Sequence, residues 1–231
     1  MLLRYHLHGE TFVKVAFLTI GQSPREDIMA DIRRYLKGIK YVEYGVLDGL
    51  TLEEIEKEFK PLPEDFAYVS RLRDGGEVKL SKSKVSMKLQ DLISRIEESV
   101  DLIVILCTGD FNLKSRKPII YPSQALIDKI KSLSPKTIGV VVPLESQISM
   151  ARKRWGNVAK VINVIVWSPY SGTIEDLVGL AHLIEDAEII VMDCLGYSVK
   201  HKEILERVTH KKVITPREVV AELITKVSRV S

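Results

Sequence analysis

Short, nearly continuous runs of Val, Ile and Leu alternate with amphipathic stretches along most of the chain. The runs occupy residues 13–20, 100–107, 137–144, 161–166 and 188–194. Because such runs have no polar face, they are typical of strands that are buried on both sides of a parallel sheet. Their alternation with helical patterns predicts an α/β fold built from doubly wound, parallel-sheet units.

The chain carries the same three features twice, in the same order. Each half has an opening strand with a proline shortly after its end, a later strand that ends in Cys-X-Gly, and a proline that opens a helix after a short apolar run. The features are residues 20–24, 107–109 and 117–130 in the first half, and 142–146, 194–196 and 211–224 in the second. We therefore predict two similar doubly wound parallel-sheet halves with an active-site cleft between them.

The first half is longer because it contains an extra region at residues 51–90. Within it, YVSRLRDGGEVKLS (68–81) predicts a β-hairpin insertion that turns at Asp74-Gly75-Gly76. We expect an N-terminal α/β domain of residues 1–121 plus 216–231, which includes this hairpin, and a C-terminal α/β domain of residues 122–215.

Three helix starts are marked by capping patterns. Ser23-Pro24-Arg25-Glu26 predicts a helix with Ser23 as its N-cap and Pro24 as its first residue. Thr215-Pro216 repeats this pattern before the last helix, and Thr51 begins a capping box with Glu54.

The two cysteines of the chain, Cys107 and Cys194, each end one of the predicted strands. In open α/β sheets, ligands collect outside the carboxyl ends of the strands, so two facing halves would bring the thiols to opposite walls of one cleft. The glycines that follow, Gly109 and Gly196, would let backbone N–H groups approach a ligand without an intervening Cβ. Two such thiols could transfer protons to and from opposite faces of a carbon next to a carboxylate, with helix N-termini lowering the thiol pKa from about 8.5 toward neutrality.

The cysteines are also compatible with structural roles. Either cysteine alone is better accounted for by core packing, because free cysteine is among the most buried residue types. A disulfide is a second alternative. No histidine or further cysteine stands at ligand spacing, so no metal is expected. The equivalent positions of the two cysteines in the repeat favour a shared site.

Further candidate residues for substrate binding lie at the predicted strand ends. Arginine binds carboxylates through a planar fork of donors, and free helix N–H groups bind anions. A helix cap or a solvated hairpin accounts for several of these residues equally well. The candidates are Gly21, Gln22, Ser23 and Arg25 in the opening loop, Ser70 and Arg71 beside the hairpin, Thr108 and Gly109 after the first cysteine, Pro143 and Leu144 in the second opening loop, and Leu195 and Gly196 after the second cysteine.

Two further features have no assigned role. Asp193 would either raise the pKa of the neighbouring thiol or point away into a cap. The basic stretch ARKRW (151–155) is interpreted as a solvated face, because acidic residues surround it.

The charge balance and the lack of targeting patterns restrict the partners. Lys and Arg number 34 against 31 Asp and Glu, a balance that argues against a nucleic-acid-binding protein. No apolar run reaches the length of a membrane span, and no signal-peptide pattern is present, which predicts a cytoplasmic protein. The chain has no glycine-rich phosphate loop, and we expect no cofactor.

Three stretches resemble a known family: TIGQSPRED near the start, YVSRLRDGGEV in the insertion and VMDCLGYSVKHKEIL near the end. They are similar to the AroM family, and the likeness extends over nearly the whole chain. This family is grouped with the aspartate/glutamate racemase superfamily, whose two-domain α/β fold has a cleft with facing cysteines. The resemblance implies a cofactor-independent racemase or isomerase that acts at a carbon next to a carboxylate or related carbonyl, with Cys107 and Cys194 as the proton-transfer pair. It also implies a carboxylate site at residues 21–25.

The resemblance is incomplete at the positions that would choose the substrate. Amino-acid racemases of the superfamily follow the first cysteine with Asn-Thr and the second with Thr-Glu, whereas this chain has Thr108-Gly109 and Leu195-Gly196. Two alternatives therefore stand beside the racemase: a non-catalytic sensor of small carboxylates linked to aromatic amino-acid metabolism, and a one-cysteine decarboxylase or cis–trans isomerase. Because proteins of this architecture often pair, a homodimer is expected.

Overall fold

The structure, a computed structural model, describes residues 6–7, 10–11 and 13–229, and gives side-chain surroundings for residues 13–226. The described strands are β1 (His6–Leu7), β2 (Glu10–Thr11), β3 (Lys14–Thr19), β4 (Lys40–Gly45), β5 (Ala67–Arg71), β6 (Glu77–Ser81), β7 (Leu102–Ile105), β8 (Ile119–Ile120), β9 (Thr137–Val142), β10 (Lys160–Val166), β11 (Ile189–Met192) and β12 (Lys212–Ile214). The α-helices are α1 (Glu26–Ile32), α2 (Leu52–Phe59), α3 (Lys82–Ile96), α4 (Pro122–Leu133), α5 (Ile148–Gly156), α6 (Ile174–Leu180), α7 (Val199–Thr209) and α8 (Pro216–Arg229).

Two four-stranded parallel sheets form the centre of the molecule and have the same internal order. The first sheet has the strand order β4-β3-β7-β8 and the second has the order β10-β9-β11-β12. If the hairpin strands β5 and β6 are left out, the spatial order in both halves is second, first, third and fourth strand. All the pairings within both sheets are parallel. The predicted α/β fold of two similar parallel-sheet halves is confirmed.

Alternate residues of the central strands pack against helices on opposite faces of each sheet. In β3, Val15 and Phe17 contact the core beneath α1 and α8, whereas Ala16 and Leu18 contact the core beneath α2, α3 and the β5–β6 hairpin. In the second half, α4 and α5 cover one face and α6 and α7 the other. Burial on both faces explains why these strands read as continuous apolar runs.

The two halves exchange their last helices. Helix α4 follows the last strand of the first sheet but packs Leu126 and Ile130 on the second sheet. Helix α8 follows the last strand of the second sheet and packs Val220 and Ile224 on the first. The two helices also contact each other. The predicted domain limits stay a prediction; residues 1–5, 8–9, 12 and 230–231 of the first domain lie outside the described part of the chain.

The hairpin insertion is formed by β5 and β6, which pair antiparallel with Tyr68 opposite Leu80 and Arg71 opposite Glu77. Gly75 in its turn has φ +94°, a backbone conformation that favours glycine. The capping box of Thr51 with Glu54 is also present, with Glu54 N donating to Thr51 Oγ1 and the carboxylate of Glu54 accepting from Thr51 N.

One local prediction is wrong, and one strand was not predicted. Ser23 is not the N-cap of α1 and Pro24 is not its first residue: the helix begins at Glu26 after Arg25, and Ser23 instead donates from N and Oγ to the Asp48 carboxylate, at 2.7 and 2.6 Å. Strand β4 was not predicted, because its residues are at most half-buried at the sheet edge and include Lys40 and Glu43. In the part of the chain that the structure describes, none of the helices has the length and apolar character of a membrane span.

Candidate active site

Both cysteines line one small cavity between the halves, each two residues beyond the end of a strand. Cys107 follows β7 and Cys194 follows β11; both are partly exposed, free thiols. The cavity has a volume of about 30 Å³, which is room for no more than a few water molecules. The two cysteines therefore border a common space, and each also packs against a core of its own half. That space is too small for an organic ligand, and we call this arrangement the closed state of the cleft.

The two Cys-X-Gly loops have the same local geometry. Gly109 N donates to the sulfur of Cys107 at 3.3 Å, and Gly196 N donates to the sulfur of Cys194 at 3.3 Å. A tyrosine packs on each glycine, since an added Cβ would lie 2.5 Å from Cζ of Tyr68 at Gly109 and 2.7 Å from the hydroxyl oxygen of Tyr170 at Gly196. Glycine is required at both positions by this close approach, and its N–H groups face the sulfur atoms.

The surroundings of the thiols disfavour their ionised form in this closed state. Burial, followed by the charge of Cys194, raises the pKa of Cys107 to about 12, although Arg154 acts in the other direction. Burial raises the pKa of Cys194 to about 11, against the hydrogen bond from Gly196 N. The expectation that the fold lowers these pKa values toward neutrality is wrong for the closed cleft, because desolvation exceeds the local donors.

Arg154 of α5 joins the two walls of the cavity. Its guanidinium donates from Nη1 to Asp193 Oδ2 at 2.9 Å and from Nη2 to Asp110 Oδ1 at 2.7 Å. The same Asp193 oxygen accepts from Trp155 Nε1 at 2.9 Å, and the Asp193 carbonyl accepts from Thr108 Oγ1 at 3.0 Å. The stretch 151–155 is therefore not a solvated face at Arg154, which is 8% exposed. Both carboxylates outweigh desolvation and raise the pKa of Arg154.

Arg25 is buried beside the opening loop and its donors are occupied. Nη1 donates to Thr19 Oγ1 and to Ser70 Oγ, Nη2 donates to Tyr170, and the guanidinium pairs with Asp27. Desolvation opposes its charge, but Tyr170 and Asp27 outweigh it and raise its pKa. Arg25 and Ser70 thus connect the first half to Tyr170 of the second half. In the closed state Arg25 has no free pair of N–H donors with which to bind a carboxylate.

The rest of the opening loop is held by the hairpin and by Asp48. Gln22 donates to Leu50 O and accepts from Arg73 N, and Arg73 Nε donates to Ser23 O at 2.6 Å. A Cβ on Gly21 would lie 2.9 Å from the carbonyl oxygen of Arg71. The guanidinium of Arg71 turns back to the carbonyl of Gly75 at the hairpin turn, and it does not line the cysteine cavity.

The candidates after the second cysteine and in the second opening loop divide into two groups. Leu195 is 2% exposed and packs in the core of the first half, with its carbonyl accepting from Arg217 Nε. Pro143 lines the cysteine cavity, and with Leu144 it also lines an open groove of about 930 Å³ beside the hairpin. The structure therefore brings Thr108, Gly109 and Pro143 to the cavity and leaves Leu195 in the core.

Several residues around the cysteines were not singled out from the sequence. They are Tyr68, Asp110, Arg154, Trp155, Tyr170 and Arg217. Of these, Tyr68 could have been noticed, because it opens the specific stretch YVSRLRDGGEV. The others are distant in sequence from their partners: Arg217 Nη2 donates to Gly196 O at 2.8 Å and Nη1 to Asp31 Oδ2 at 2.7 Å. Within the described residues, no group of three or more His, Cys, Asp or Glu side chains is arranged to hold a metal ion.

Comparison with known proteins identifies relatives over nearly the whole chain. The family model described as AroM protein matches residues 15–228. Among solved structures, an allantoin racemase from Klebsiella pneumoniae is similar with a TM-score of 0.60 at 17% identity, covering 94% of this chain and 88% of that one. A maleate isomerase from Pseudomonas putida has a TM-score of 0.61 at 16% identity, covering 94% and 93%.

An aspartate racemase from Picrophilus torridus is also similar, with a TM-score of 0.53 at 12% identity, covering 92% of this chain and 93% of that one. At such identities the likeness establishes a shared fold. No curated protein sequence matches the chain.

Proposed function

The chain belongs to the AroM family, and from this premise we propose that it is a cofactor-independent enzyme of the racemase or isomerase type. It acts at a carbon next to a carboxylate or related carbonyl, with Cys107 and Cys194 as the proton-transfer pair. The observation that carries the proposal is the single cavity lined by both thiols, one on a loop of each half. The names of the similar structures, two racemases and an isomerase, support the same reaction class.

The proposed reaction moves one proton across the cavity. One cysteine, as thiolate, removes the proton from the carbon acid and becomes a thiol. The other cysteine, as thiol, delivers a proton to the opposite face of that carbon and becomes a thiolate. The two sulfurs therefore exchange protonation states in each turnover, and a return step through solvent completes the cycle.

The backbone donors of the two Cys-X-Gly loops support this chemistry. The N–H groups of Gly109 and Gly196 already donate to the sulfur atoms and so stabilise whichever thiolate forms. Donors that are fixed before the reaction need little reorganisation as charge develops. The walls also have to separate for a substrate to bind, since about 30 Å³ is too small for an organic acid. The contacts that join the walls are Arg154 with Asp110, Thr108 with Asp193, and Arg25 with Tyr170.

Deuterium exchange tests the proposal. The protein is incubated in heavy water with a panel of small chiral and unsaturated acids, and deuterium incorporation at the reacting carbon is followed by mass spectrometry. We expect incorporation with inversion for a racemase, and its loss in both Cys107→Ser and Cys194→Ser. Trp fluorescence and thermal unfolding of each variant establish that the fold is retained.

The pattern of results separates the alternatives. Exchange that survives both substitutions removes the cysteines from the mechanism. Loss in only one variant favours a one-cysteine decarboxylase or cis–trans isomerase. Ligand binding without exchange or turnover favours the non-catalytic carboxylate sensor. A cytoplasmic location and a homodimer stay predictions.

A further inference from the structure

Asp193, the residue before Cys194, has one carboxylate oxygen that is fully used and one that is not. Oδ2 accepts from Arg154 Nη1 and from Trp155 Nε1, each at 2.9 Å. Oδ1 is buried and has no hydrogen-bond partner among the described residues. The residue is 6% exposed and lines the cysteine cavity. The site therefore contains a held carboxylate with an unused acceptor atom.

A buried acceptor without a partner is costly, and a carboxylate oxygen more so than a neutral one. Native structures leave few such atoms, and each calls for a physical cause such as a ligand or an ordered water. The cavity beside Asp193 has Thr108, Gln147 and Arg154 among its lining residues and about 30 Å³ of space, enough for one small group. A hydrogen-bond donor on a bound ligand would satisfy Oδ1.

The charges around this position also favour a donor over an anion. Arg154 is the one cation in the cluster that it forms with Asp110 and Asp193, so the cluster carries one net negative charge. The two carboxylate oxygens of Asp193 cannot both contact a ligand, because Trp155 and Arg154 hold Oδ2 in place. Thr108 fixes the backbone of the same residue through its carbonyl. A plain carboxylate group would be repelled at Oδ1, whereas an O–H or N–H group would be attracted.

We infer that Asp193 is a specificity-determining residue that accepts a hydrogen bond from an O–H or N–H group on, or next to, the reacting carbon. The ligand class is then the 2-hydroxy or 2-amino acids and related carbon acids with such a donor, in preference to acids that lack one. This inference rests on the proposed function only in taking the cysteine cavity as the ligand site.

The experiment uses ligand binding, so it needs no turnover. Glycolate, glycine and methoxyacetate share a carboxylate on a two-carbon unit, and they differ in having a neutral O–H donor, a cationic N–H donor or no donor. Each is titrated into the whole protein while the two tryptophan indole N–H signals are followed by proton–nitrogen NMR. Trp155 bonds directly to Asp193, whereas Trp167 donates to Thr173 O and serves as the internal control.

We expect glycolate, glycine or both to bind at least about tenfold more tightly than methoxyacetate, since a hydrogen bond to a charged group is worth that much or more. The Trp155 signal should move and the Trp167 signal should move little. Tighter binding of glycolate than glycine assigns a neutral donor, and the reverse assigns an ammonium group. Equal affinities for all three acids would mean that Oδ1 is served by water alone, and the inference would be wrong.

Asp193→Asn provides the matched variant. Because the Oδ2 position accepts from two N–H groups, the amide oxygen is expected to remain there and the NH₂ group to take the Oδ1 position, where it donates instead of accepting. The preference for glycolate over methoxyacetate should then disappear or invert, while the Trp155 signal persists. A preference that is unchanged in this variant contradicts the role of Asp193. If the variant does not fold, the wild-type series decides alone.

The results also separate this inference from the proposed function. Donor-selective binding without deuterium exchange would leave Asp193 as the recognition residue of a binding protein and would remove the enzyme. Deuterium exchange without donor-selective binding would support the enzyme and would remove Asp193 as the residue that selects the ligand. The absence of any shift at Trp155 with all three acids would contradict the inference that this cavity takes a small donor-bearing acid, whatever the exchange experiment shows.

Discussion

Three buried arginines surround the cysteine cleft, and each is paired with a carboxylate. Arg154 pairs with Asp193 and Asp110, Arg25 with Asp27, and Arg217 with Asp31. Charges at such depth are tolerated only when they are paired and hydrogen-bonded. The pairing leaves little uncompensated positive charge for the thiols, and this explains why desolvation controls their pKa values.

The raised thiol pKa values predict a steep pH dependence of cysteine reactivity. The thiol is the protonated form, so with pKa values of about 12 and 11 both side chains are neutral at pH 7. Below its pKa, each unit of pH raises the thiolate fraction about tenfold. We expect alkylation by iodoacetamide, followed by mass spectrometry of the two cysteine peptides, to keep rising with pH up to about 11 at Cys194.

The reduced, unfolded chain is the control for this measurement, because its cysteines should level off near the ordinary pKa of about 8.5. If alkylation of the folded protein levels off near or below that pH, the cleft stabilises a thiolate. If a ligand lowers the pH at which alkylation levels off, the thiolate is stabilised in the ligand-bound state.

At the scale of elements, the strand ends and the turns were predictable because their signals are local. The Val/Ile/Leu runs, the Asp74-Gly75-Gly76 turn and the Thr51 capping box depend on neighbouring residues alone, and all three are present. The prediction that Ser23 caps helix α1 is wrong because its hydroxyl donates to Asp48, which lies 25 residues away in the sequence. Arg154 was missed for the same reason: its partners Asp110 and Asp193 lie 44 and 39 residues away.

The close approach of tyrosines to the Cys-X-Gly loops predicts the effect of adding one methyl group. Gly109→Ala places a Cβ 2.5 Å from the Tyr68 ring, and Gly196→Ala places one 2.5 Å from Pro169. The ring must shift in each case, so each change should lower the free energy of unfolding by about 1–3 kcal/mol, as overpacking does. Displacement of the adjacent cysteine should also lower any deuterium exchange. Urea denaturation gives the free energies.

Gly179→Ala is the matched control for these substitutions. Gly179 lies in helix α6, and an added Cβ would have no neighbour within 4 Å. Alanine there should leave stability unchanged or raise it by about 0.5–1 kcal/mol, because glycine is a poor helix former. Equal effects at Gly109, Gly196 and Gly179 would mean that the tyrosine contacts do not constrain the loops.

At the scale of the whole molecule, the repeat in the sequence predicted two halves, and the exchange of α4 and α8 makes them interdependent. Each half completes its core with a helix that follows the other half in sequence. Helix α8 contacts both halves, since Val220 and Ile224 pack in the core of the first and Val219 in that of the second. The predicted domain limits, 1–121 plus 216–231 and 122–215, assign the two helices in this way. The local patterns of the helices do not specify the exchange, because both helices would look the same if each covered its own sheet.

The exchange predicts that the halves unfold together. Ile224→Ala removes a fully buried side chain from the core of the first half and should lower the free energy of unfolding by about 2–5 kcal/mol. Both tryptophans, Trp155 and Trp167, lie in the second half, so their fluorescence reports on the half that the substitution does not directly alter. If the halves are coupled through α8, the tryptophan transition in urea shifts by the same amount as the loss of total helix measured by circular dichroism.

Val208→Ala, at a position 38% exposed, is the control and should shift neither transition appreciably. A tryptophan transition that stays in place while the circular dichroism splits into two steps would mean that each half folds independently, and that the cleft between them is held by the polar contacts alone.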